Sequence, residues 1–277
     1  MKIILILLKS PKFLTGIVIL SIIFAITFLT PLVNDNSPTE MVTCSFQAPD
    51  SKHILGSDNF GRDVMIQLAL GTQTSLYVGI IAGMVATLIG LFIGLYSGYL
   101  GGLIDNILTM LTNLFIVIPP FIILILISVS VDSRSSTLTA LIIGFTSWPW
   151  TARAVRAQTS SLRNRDHINI AKLSGAGTFR IIIFEILPYI ASYAVMAFIL
   201  QTASGILAEA AISMLGLGPY NTISLGIMLN WAIVFEAPAA GAWWAFIPTA
   251  MIISAITFSL FYINSGMDEI FNPKIRS

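Results

Sequence analysis

The chain has 277 residues, of which 56% are hydrophobic and 10% are charged, and its formal net charge is +1. Soluble domains carry about 25% charged residues, so the composition excludes an ordinary soluble protein and indicates helices that face lipid. The small net charge provides no general attraction to nucleic acid, which is not expected as a partner. The single cysteine, Cys44, excludes an internal disulfide. No metal or other cofactor is expected.

Long stretches without charge predict the membrane spans, because a helix needs about 20 apolar residues to cross the hydrocarbon core. The expected spans are 13–33, 74–97, 103–130, 136–152, 186–206 and 244–264. The first is interpreted as a retained helix, since no clear cleavage site for a signal peptide follows it. The apolar stretch 207–235 is interrupted by glycine and proline. It predicts a short, partly buried or re-entrant segment, and a seventh span is the alternative.

The distribution of basic residues predicts the orientation. All but three of the 14 Lys and Arg residues fall on the side of the two termini and the 153–185 loop, and the exceptions are Lys52, Arg62 and Arg134. Cytoplasmic segments carry the excess of basic residues. The sequence therefore predicts a multi-pass protein of the cell membrane with both termini and the 153–185 loop in the cytoplasm. A seventh span would place Lys274 and Arg276 outside.

Glycines recur at helical spacing in the second expected span. Gly79 and Gly83 are four residues apart, as are Gly90, Gly94 and Gly98. This spacing places them on one helix face, where small residues allow a neighbouring helix to approach closely. We expect ordinary close packing there.

The chain lacks the sequence motifs that are typical of several classes of function. The chain has no phosphate-binding loop and no nucleophile elbow. It is therefore not expected to be an enzyme. The expected spans contain no pair of opposite charges, which is the usual mark of ion-coupled carriers.

The basic loop predicts a helix–turn–helix that lies across the cytoplasmic face. Asp166 is expected to cap a helix of about two turns, Gly175 and Gly177 to end it, and Thr178 to cap the next helix. The apolar stripe of the first helix comprises Ile168, Ala171 and Lys172. Such an element can lie on the lipid surface or fill a groove on a partner.

This loop resembles the cytoplasmic loop of the membrane-spanning permeases of ABC importers. The pattern of that family is E-A-A, three residues, G, nine residues and I-x-L-P. Gly175 matches the central glycine and Pro188 the end, while Asn169-Ile170-Ala171 retains only the last alanine of E-A-A. The resemblance implies that the residues coupling the chain to an ATPase are Asp166, Asn169, Ala171, Lys172, Gly175, Ala176, Gly177 and Pro188.

Other motifs resemble the dipeptide, oligopeptide and nickel branch of this family, and specifically its second permease. They occupy residues 53–63, 98–105, 148–156, 209–218 and 268–276. The extracytoplasmic residues marked by these motifs are Gly56, Asp58, Gly61, Arg62, Asp63, Glu209, Gly216 and Gly218. Simpler interpretations remain open: a turn before a helix for 53–63, a cap or interface group for Glu209, and head-group anchors for Arg153 and Arg156.

The resemblance implies an all-α integral membrane protein with six transmembrane helices, namely the type I ABC importer permease (MetI-like) fold with a cytoplasmic coupling helix. Residues 1–73 would form the first helix and an extracytoplasmic segment. Residues 74–264 would form the permease domain with coupling loop 153–185, and residues 265–277 a cytoplasmic tail.

The implied function is the import of dipeptides or oligopeptides as the non-catalytic subunit of an ATP-driven transporter. The implied partners are a second homologous permease in a heterodimer, two cytoplasmic ABC ATPase subunits, an extracytoplasmic substrate-binding protein and the lipid bilayer. The alternatives are the same architecture importing oligosaccharides or nickel, and a stand-alone ion-coupled carrier.

Overall fold

The computed structural model describes residue 7 and residues 10–34, 36–131, 134–220 and 222–271. Lys2, Lys9, Lys274 and Arg276, which contributed to the predicted orientation, lie outside the described residues, as do residues 272–277 of the predicted tail. The regular elements are helices: α1 (Pro11–Val33), α2 (Val64–Leu100), α3 (Gly102–Val117), α4 (Pro120–Ser130), α5 (Ser136–Leu162), α6 (Asp166–Leu173), α7 (Thr178–Met214), α8 (Leu225–Val234) and α9 (Ile247–Phe271). A π-helical turn, Ile181–Ile186, lies within α7, and a 3₁₀ turn, Trp243–Ala245, precedes α9.

Four helical segments are long and apolar enough to cross a membrane: α1, α2, α7, and α9 with its 3₁₀ turn. The pair α3 and α4 adds a fifth if it counts as one span. Helix α5 covers the expected span 136–152 but is less apolar, because it contains several hydroxyl side chains together with Arg153 and Arg156.

The expected span 103–130 is not one continuous helix. The chain bends by 80° between α3 and α4. Two consecutive prolines, Pro119 and Pro120, explain the bend, because proline lacks the N–H for the helical hydrogen bond and disfavours helical backbone in the residue before it. Ile118 and Pro119 accordingly have extended ψ angles of 122° and 120°.

The other predicted spans are shorter than the helices that contain them. Helix α2 begins at Val64 rather than near residue 74, because the Asp63 carboxylate accepts hydrogen bonds from the backbone N–H groups of the first turn. Helix α5 continues to Leu162 and α7 begins at Thr178, so the predicted 153–185 loop is reduced to residues 163–177. Helix α7 extends to Met214 and α9 to Phe271.

The glycine face of α2 packs closely, as predicted, but against two neighbours rather than one. A Cβ atom at Gly79 or Gly83 would lie within 3.0 Å of α7, at Thr202 or Ile206. The second set of glycines packs against α5 in the same way: Gly90, Gly94 and Gly98. Helix α2 is therefore the element on which α5 and α7 are assembled.

The helices place the connecting segments at two ends of the molecule. The loop end comprises residues 163–177 together with the start of α1 and the end of α9, where Lys12 and Glu269 form an ion pair. The far end comprises the segment 34–63, α8 and the 3₁₀ turn, where the Trp244 indole donates a hydrogen bond to the Ser57 backbone oxygen at 3.0 Å. Each end has its own buried apolar cluster.

Candidate functional site

At the loop end, α6 begins one residue earlier than the predicted cap implies. Arg165 is the N-cap, with extended backbone, and Asp166 is the first helical residue. An acid in the first turn is still favourable, because it faces the positive end of the helix dipole. In the same way Gly177, and not Thr178, is the N-cap of α7.

Gly175 ends α6 in the predicted manner. Its φ of +79° lies in the left-handed region, which glycine adopts without steric cost. The following residue, Ala176, donates its backbone N–H to the Ala171 oxygen at 3.1 Å, a bond typical of a glycine-terminated helix. The turn therefore fixes the angle between α6 and α7.

One face of α6 is anchored in the core of the loop end. Ile168 is completely buried and contacts a cluster that includes Ile181 and Ile186 of the π-helical turn. Lys172 donates to the Arg163 backbone oxygen at 3.3 Å and lies over the Tyr99 ring. Ile168 and the half-buried Ala171 of the predicted stripe therefore pack on this cluster, whereas Lys172 is exposed.

A second set of apolar side chains on and next to α6 is uncovered. Ile170 is 64% exposed, Leu173 is 89% exposed and Phe179 is 65% exposed. Asn169, expected to replace a glutamate that contacts an ATPase, donates to the Asn164 backbone oxygen within the same loop, at 3.4 Å. The surface available for a partner at this end is therefore apolar with basic neighbours.

The π-helical turn leads directly into Pro188. In an α-helix the ring of this proline would clash with a carbonyl one turn earlier. The wider turn has hydrogen bonds five residues apart, such as that from the Leu187 N–H to the Ile182 oxygen. His167 of α6 stacks on Tyr189 just beyond it, with ring centroids 4.9 Å apart.

Two arginines that were interpreted as head-group anchors have partners inside the protein. Arg156 of α5 forms a bidentate pair with Asp105 of α3, through Nε at 2.5 Å and Nη2 at 2.7 Å. Arg153 donates to the Asn113 side chain at 2.9 Å. Arg156 lies beyond the expected span 136–152, so this pair does not contradict the expectation that the expected spans contain no pair of opposite charges. The sequence already marked both residues of this pair, because Asp105 belongs to the 98–105 motif and Arg156 to the 148–156 motif.

At the far end, the 53–63 motif folds into a compact turn around the Asp58 carboxylate. This carboxylate accepts hydrogen bonds from Arg62 Nε at 2.6 Å and from Gln67 Nε2 at 2.9 Å. The Arg62 guanidinium also lies between the rings of Phe60 and Trp231, at 4.5 and 4.1 Å from their centroids. The motif therefore fixes the outer segment to α2 and α8.

Asp63 and Asp50 complete this turn. Asp63 caps α2 and also contacts His53 Nδ1 at 3.2 Å. Asp50 accepts backbone N–H bonds from His53 at 2.6 Å and Lys52 at 2.8 Å. These two bonds lower the pKa of the Asp50 carboxyl below its ordinary value.

The glycines of this motif are required by close backbone approaches. At Gly61, φ is +74° and an added Cβ would lie 2.1 Å from the Thr43 backbone oxygen. Gly56 is similar, with a φ of +62° and 2.4 Å to the Gln47 oxygen. Neither contact can relax without moving backbone.

We expect Gly61→Ala to destabilise the chain much more than Gly102→Ala. Both glycines have positive φ, but a Cβ at Gly102 would meet no atom within 4 Å. Gly102→Ala therefore carries only the left-handed backbone cost of about 1–2 kcal/mol, whereas Gly61→Ala adds a backbone clash. Thermal unfolding of the two purified variants measures the difference, and equal midpoints would contradict the role assigned to the Gly61 contact.

Glu209 lies inside α7 rather than in an outer connection, and its side chain is completely buried. It accepts hydrogen bonds from Ser75 of α2 at 2.7 Å and from Ser213 at 2.6 Å. The Ser75 hydroxyl in turn accepts the backbone N–H of Leu225, the first residue of α8, at 3.2 Å. This carboxyl therefore connects three helices, in agreement with the simpler interpretation as an interface group.

The last two motif glycines shape the end of α7. Gly216 has a φ of +78° and donates its N–H to the Ser213 oxygen at 2.9 Å. A Cβ at Gly218 would lie 2.3 Å from the Ser213 hydroxyl. The chain can therefore turn back tightly towards α8.

This turn borders a cavity of about 680 Å³ at the far end. Its wall is formed by α2, the end of α7, the turn 216–220, residues 222–223 and α8, and Pro38 and Thr39 of the outer segment complete it. Of the predicted site residues, Arg62, Gly216 and Gly218 line it, and Glu209 lies behind Ser213. This cavity could not be recognised from the sequence, because its wall combines residues that lie far apart along the chain.

Comparison with known proteins gives a consistent result. A family model described as "Binding-protein-dependent transport system inner membrane component" matches residues 86–277. The dipeptide transport system permease protein DppC of Bacillus subtilis is 30% identical, over 97% of this chain and 83% of its own length. A putative peptide transport system permease protein of Brucella suis is 29% identical over 98% and 90%. The oligopeptide transport system permease protein OppC of Mycobacterium bovis is 28% identical over 83% and 79%.

Proposed function

Because the chain belongs to the family of inner membrane components of binding-protein-dependent transport systems, we propose that it is the membrane-spanning permease of an ATP-driven importer of dipeptides or oligopeptides. The observation that carries this proposal is the similarity over nearly the whole chain to permeases named for dipeptide and peptide transport. Import of oligosaccharides or nickel by the same architecture is the less supported alternative.

The proposed topology has six crossings: α1, α2, the bent pair α3 and α4, α5, α7 and α9. Helix α5 is counted because it connects the far end to the loop end, even though it is less apolar than the others. Lys172, Arg163 and Arg165 of the loop end support a cytoplasmic position for that end. Both termini are then cytoplasmic, and the far end faces outward.

The proposed partners are a second homologous permease, two cytoplasmic ABC ATPase subunits and an extracytoplasmic binding protein. Helix α6 is the coupling element, in which Ile168 holds the helix to the core while Ile170 and Leu173 enter an apolar groove of an ATPase. Movement of the ATPases then displaces α6 together with the π-helical turn on which it packs. Transport follows by rigid-body alternation of the helices between outward and inward access.

Reconstitution tests the function. Proteoliposomes containing this chain, the second permease, the ATPases and the binding protein are expected to accumulate a labelled dipeptide in the presence of ATP. Omission of any one component, or replacement of ATP by a non-hydrolysable analogue, is expected to abolish uptake, because this chain supplies only the pathway.

Competition identifies the substrate class in the same preparation. Excess unlabelled oligopeptide is expected to reduce uptake of the labelled dipeptide, whereas an oligosaccharide or Ni²⁺ is expected to leave it unchanged. Uptake by this chain alone, driven by an ion gradient without ATPases, would contradict the proposal and favour an ion-coupled carrier.

A further inference from the structure

The cavity at the far end has the dimensions of a ligand site. Its volume of about 680 Å³ lies within the range of about 300–1,000 Å³ in which small-molecule sites occur. None of its lining residues takes part in the proposed coupling to the ATPases. The chemistry of that lining indicates what the cavity can bind.

Three polar side chains of the lining each use one donor within the protein. Asn230 donates through Nδ2 to the Met214 backbone oxygen at 2.9 Å, and Gln73 donates through Nε2 to the Thr27 oxygen at 3.1 Å. Thr74 donates its hydroxyl to the backbone of its own helix at 3.2 Å. Each side-chain oxygen retains capacity to accept a further hydrogen bond. The Asn230 and Gln73 amides each keep a second N–H as well. The lining therefore offers both neutral acceptors and neutral donors.

The charge of the lining is compensated. Among the described lining residues, Arg62 carries the only formal charge. Its guanidinium is paired with Asp58 at 2.6 Å and covered by the Trp231 ring. Much of the remaining surface is apolar or aromatic, with Ile227 and Tyr220 among its members. The site thus suits a neutral ligand that both donates and accepts hydrogen bonds.

We propose that this cavity binds the backbone N–H and C=O groups of an extended peptide segment at the entrance to the membrane pathway. The proposal rests on the proposed function and assigns peptide recognition to the permease itself. Backbone N–H and C=O groups are common to peptides of nearly every sequence, so neutral acceptors and donors recognise them regardless of side chain. The apolar and aromatic surface accommodates side chains of different size.

A cysteine-protection experiment tests the site directly. Cys44 is the only cysteine of the chain, so Cys44→Ser provides a cysteine-free background in which Thr222→Cys adds one thiol at an exposed position of the cavity wall. The variant is assembled with its partner permease and ATPases, without the binding protein, and labelled with a maleimide. Alanine tripeptide is then titrated.

The tripeptide is expected to slow labelling of the Thr222→Cys thiol, by about tenfold at ten times its Kd. The same tripeptide with N-methylated peptide bonds is expected to protect much less, because it has lost the N–H donors. Ser51→Cys, on an exposed loop of the same end, is the matched control and is expected to label at one rate throughout. Adding Thr74→Val, which removes one acceptor at nearly constant shape, is expected to raise the peptide concentration needed for protection.

Three outcomes would overturn the inference: no protection by the tripeptide, equal protection by its N-methylated form, or a Thr222→Cys thiol that is unreactive before peptide is added because another chain covers the cavity. Dipeptide uptake by the same complex, after the binding protein is added, separates this site from the proposed function. Uptake without protection rejects only the site, whereas absence of uptake rejects the function.

Discussion

Replacing Ile170 and Leu173 with aspartate is expected to abolish the stimulation of ATP hydrolysis by the loaded binding protein in the assembled transporter. Both side chains are exposed, at 64% and 89%, while the anchoring side chain of the same helix, Ile168, is completely buried. Burial of each in a partner groove would contribute about 1.5–3 kcal/mol. A change of about 1.4 kcal/mol corresponds to a tenfold change in affinity. Losing the burial of both side chains would therefore weaken the binding of the ATPases by about 100-fold or more.

The stability of the chain itself is expected to remain unchanged, since neither side chain contributes to its core. Ser161→Asp is the matched control, because it adds a negative charge to an exposed position at the same end without touching α6. Co-purification of the ATPases and the ATPase rate are measured for both variants. Full stimulation in the double variant would show that the partner contacts another surface.

Replacing Glu209 with leucine is expected to lower the free energy of unfolding by about 2–4 kcal/mol, because two buried hydroxyl groups lose their acceptor. Ser75 and Ser213 would both remain buried without the carboxylate. The effect is expected to extend to α8, whose first backbone N–H is bound to the Ser75 hydroxyl. Thermal unfolding of the purified chain measures the loss.

Glu209→Gln is the matched control for this prediction. Its amide has nearly the shape of the carboxylate, and its oxygen still accepts one of the two serine hydroxyls. We therefore expect it to be clearly more stable than Glu209→Leu. If the two variants unfold at the same temperature, the network does not hold α7 and α8 together, and Glu209 has to act in another way.

The positions of the helices could largely be predicted from the sequence, because charge-free stretches reflect contact with lipid and with other helices. The ends of the helices could not be predicted, because they depend on local hydrogen bonds such as those of Asp63 at the start of α2. The bend after α3 was predictable in principle from Pro119 and Pro120. The apolar composition of 103–130 concealed it, because hydropathy contains no information on backbone direction.

The candidate site was only partly accessible to the same reasoning. The Gly175 turn and the stripe of α6 depend on neighbours in sequence and were predicted. The contact between Ser75 and Glu209 joins residues 134 positions apart, and that between Asp105 and Arg156 joins residues 51 apart. Such pairings require the tertiary structure, and so does the far-end cavity.

The continuity of α2 has a mechanical consequence. This helix contributes Thr74 to the cavity wall and Tyr99 to the contact with Lys172 of the loop end. At a rise of about 1.5 Å per residue, the two positions are about 38 Å apart on one unbroken rod. A tilt imposed on the rod at Tyr99 is carried to Thr74 without any intermediate joint. In the proposed transporter, the arrival of a peptide and the movement of the ATPases would thus act on opposite ends of the same rigid body.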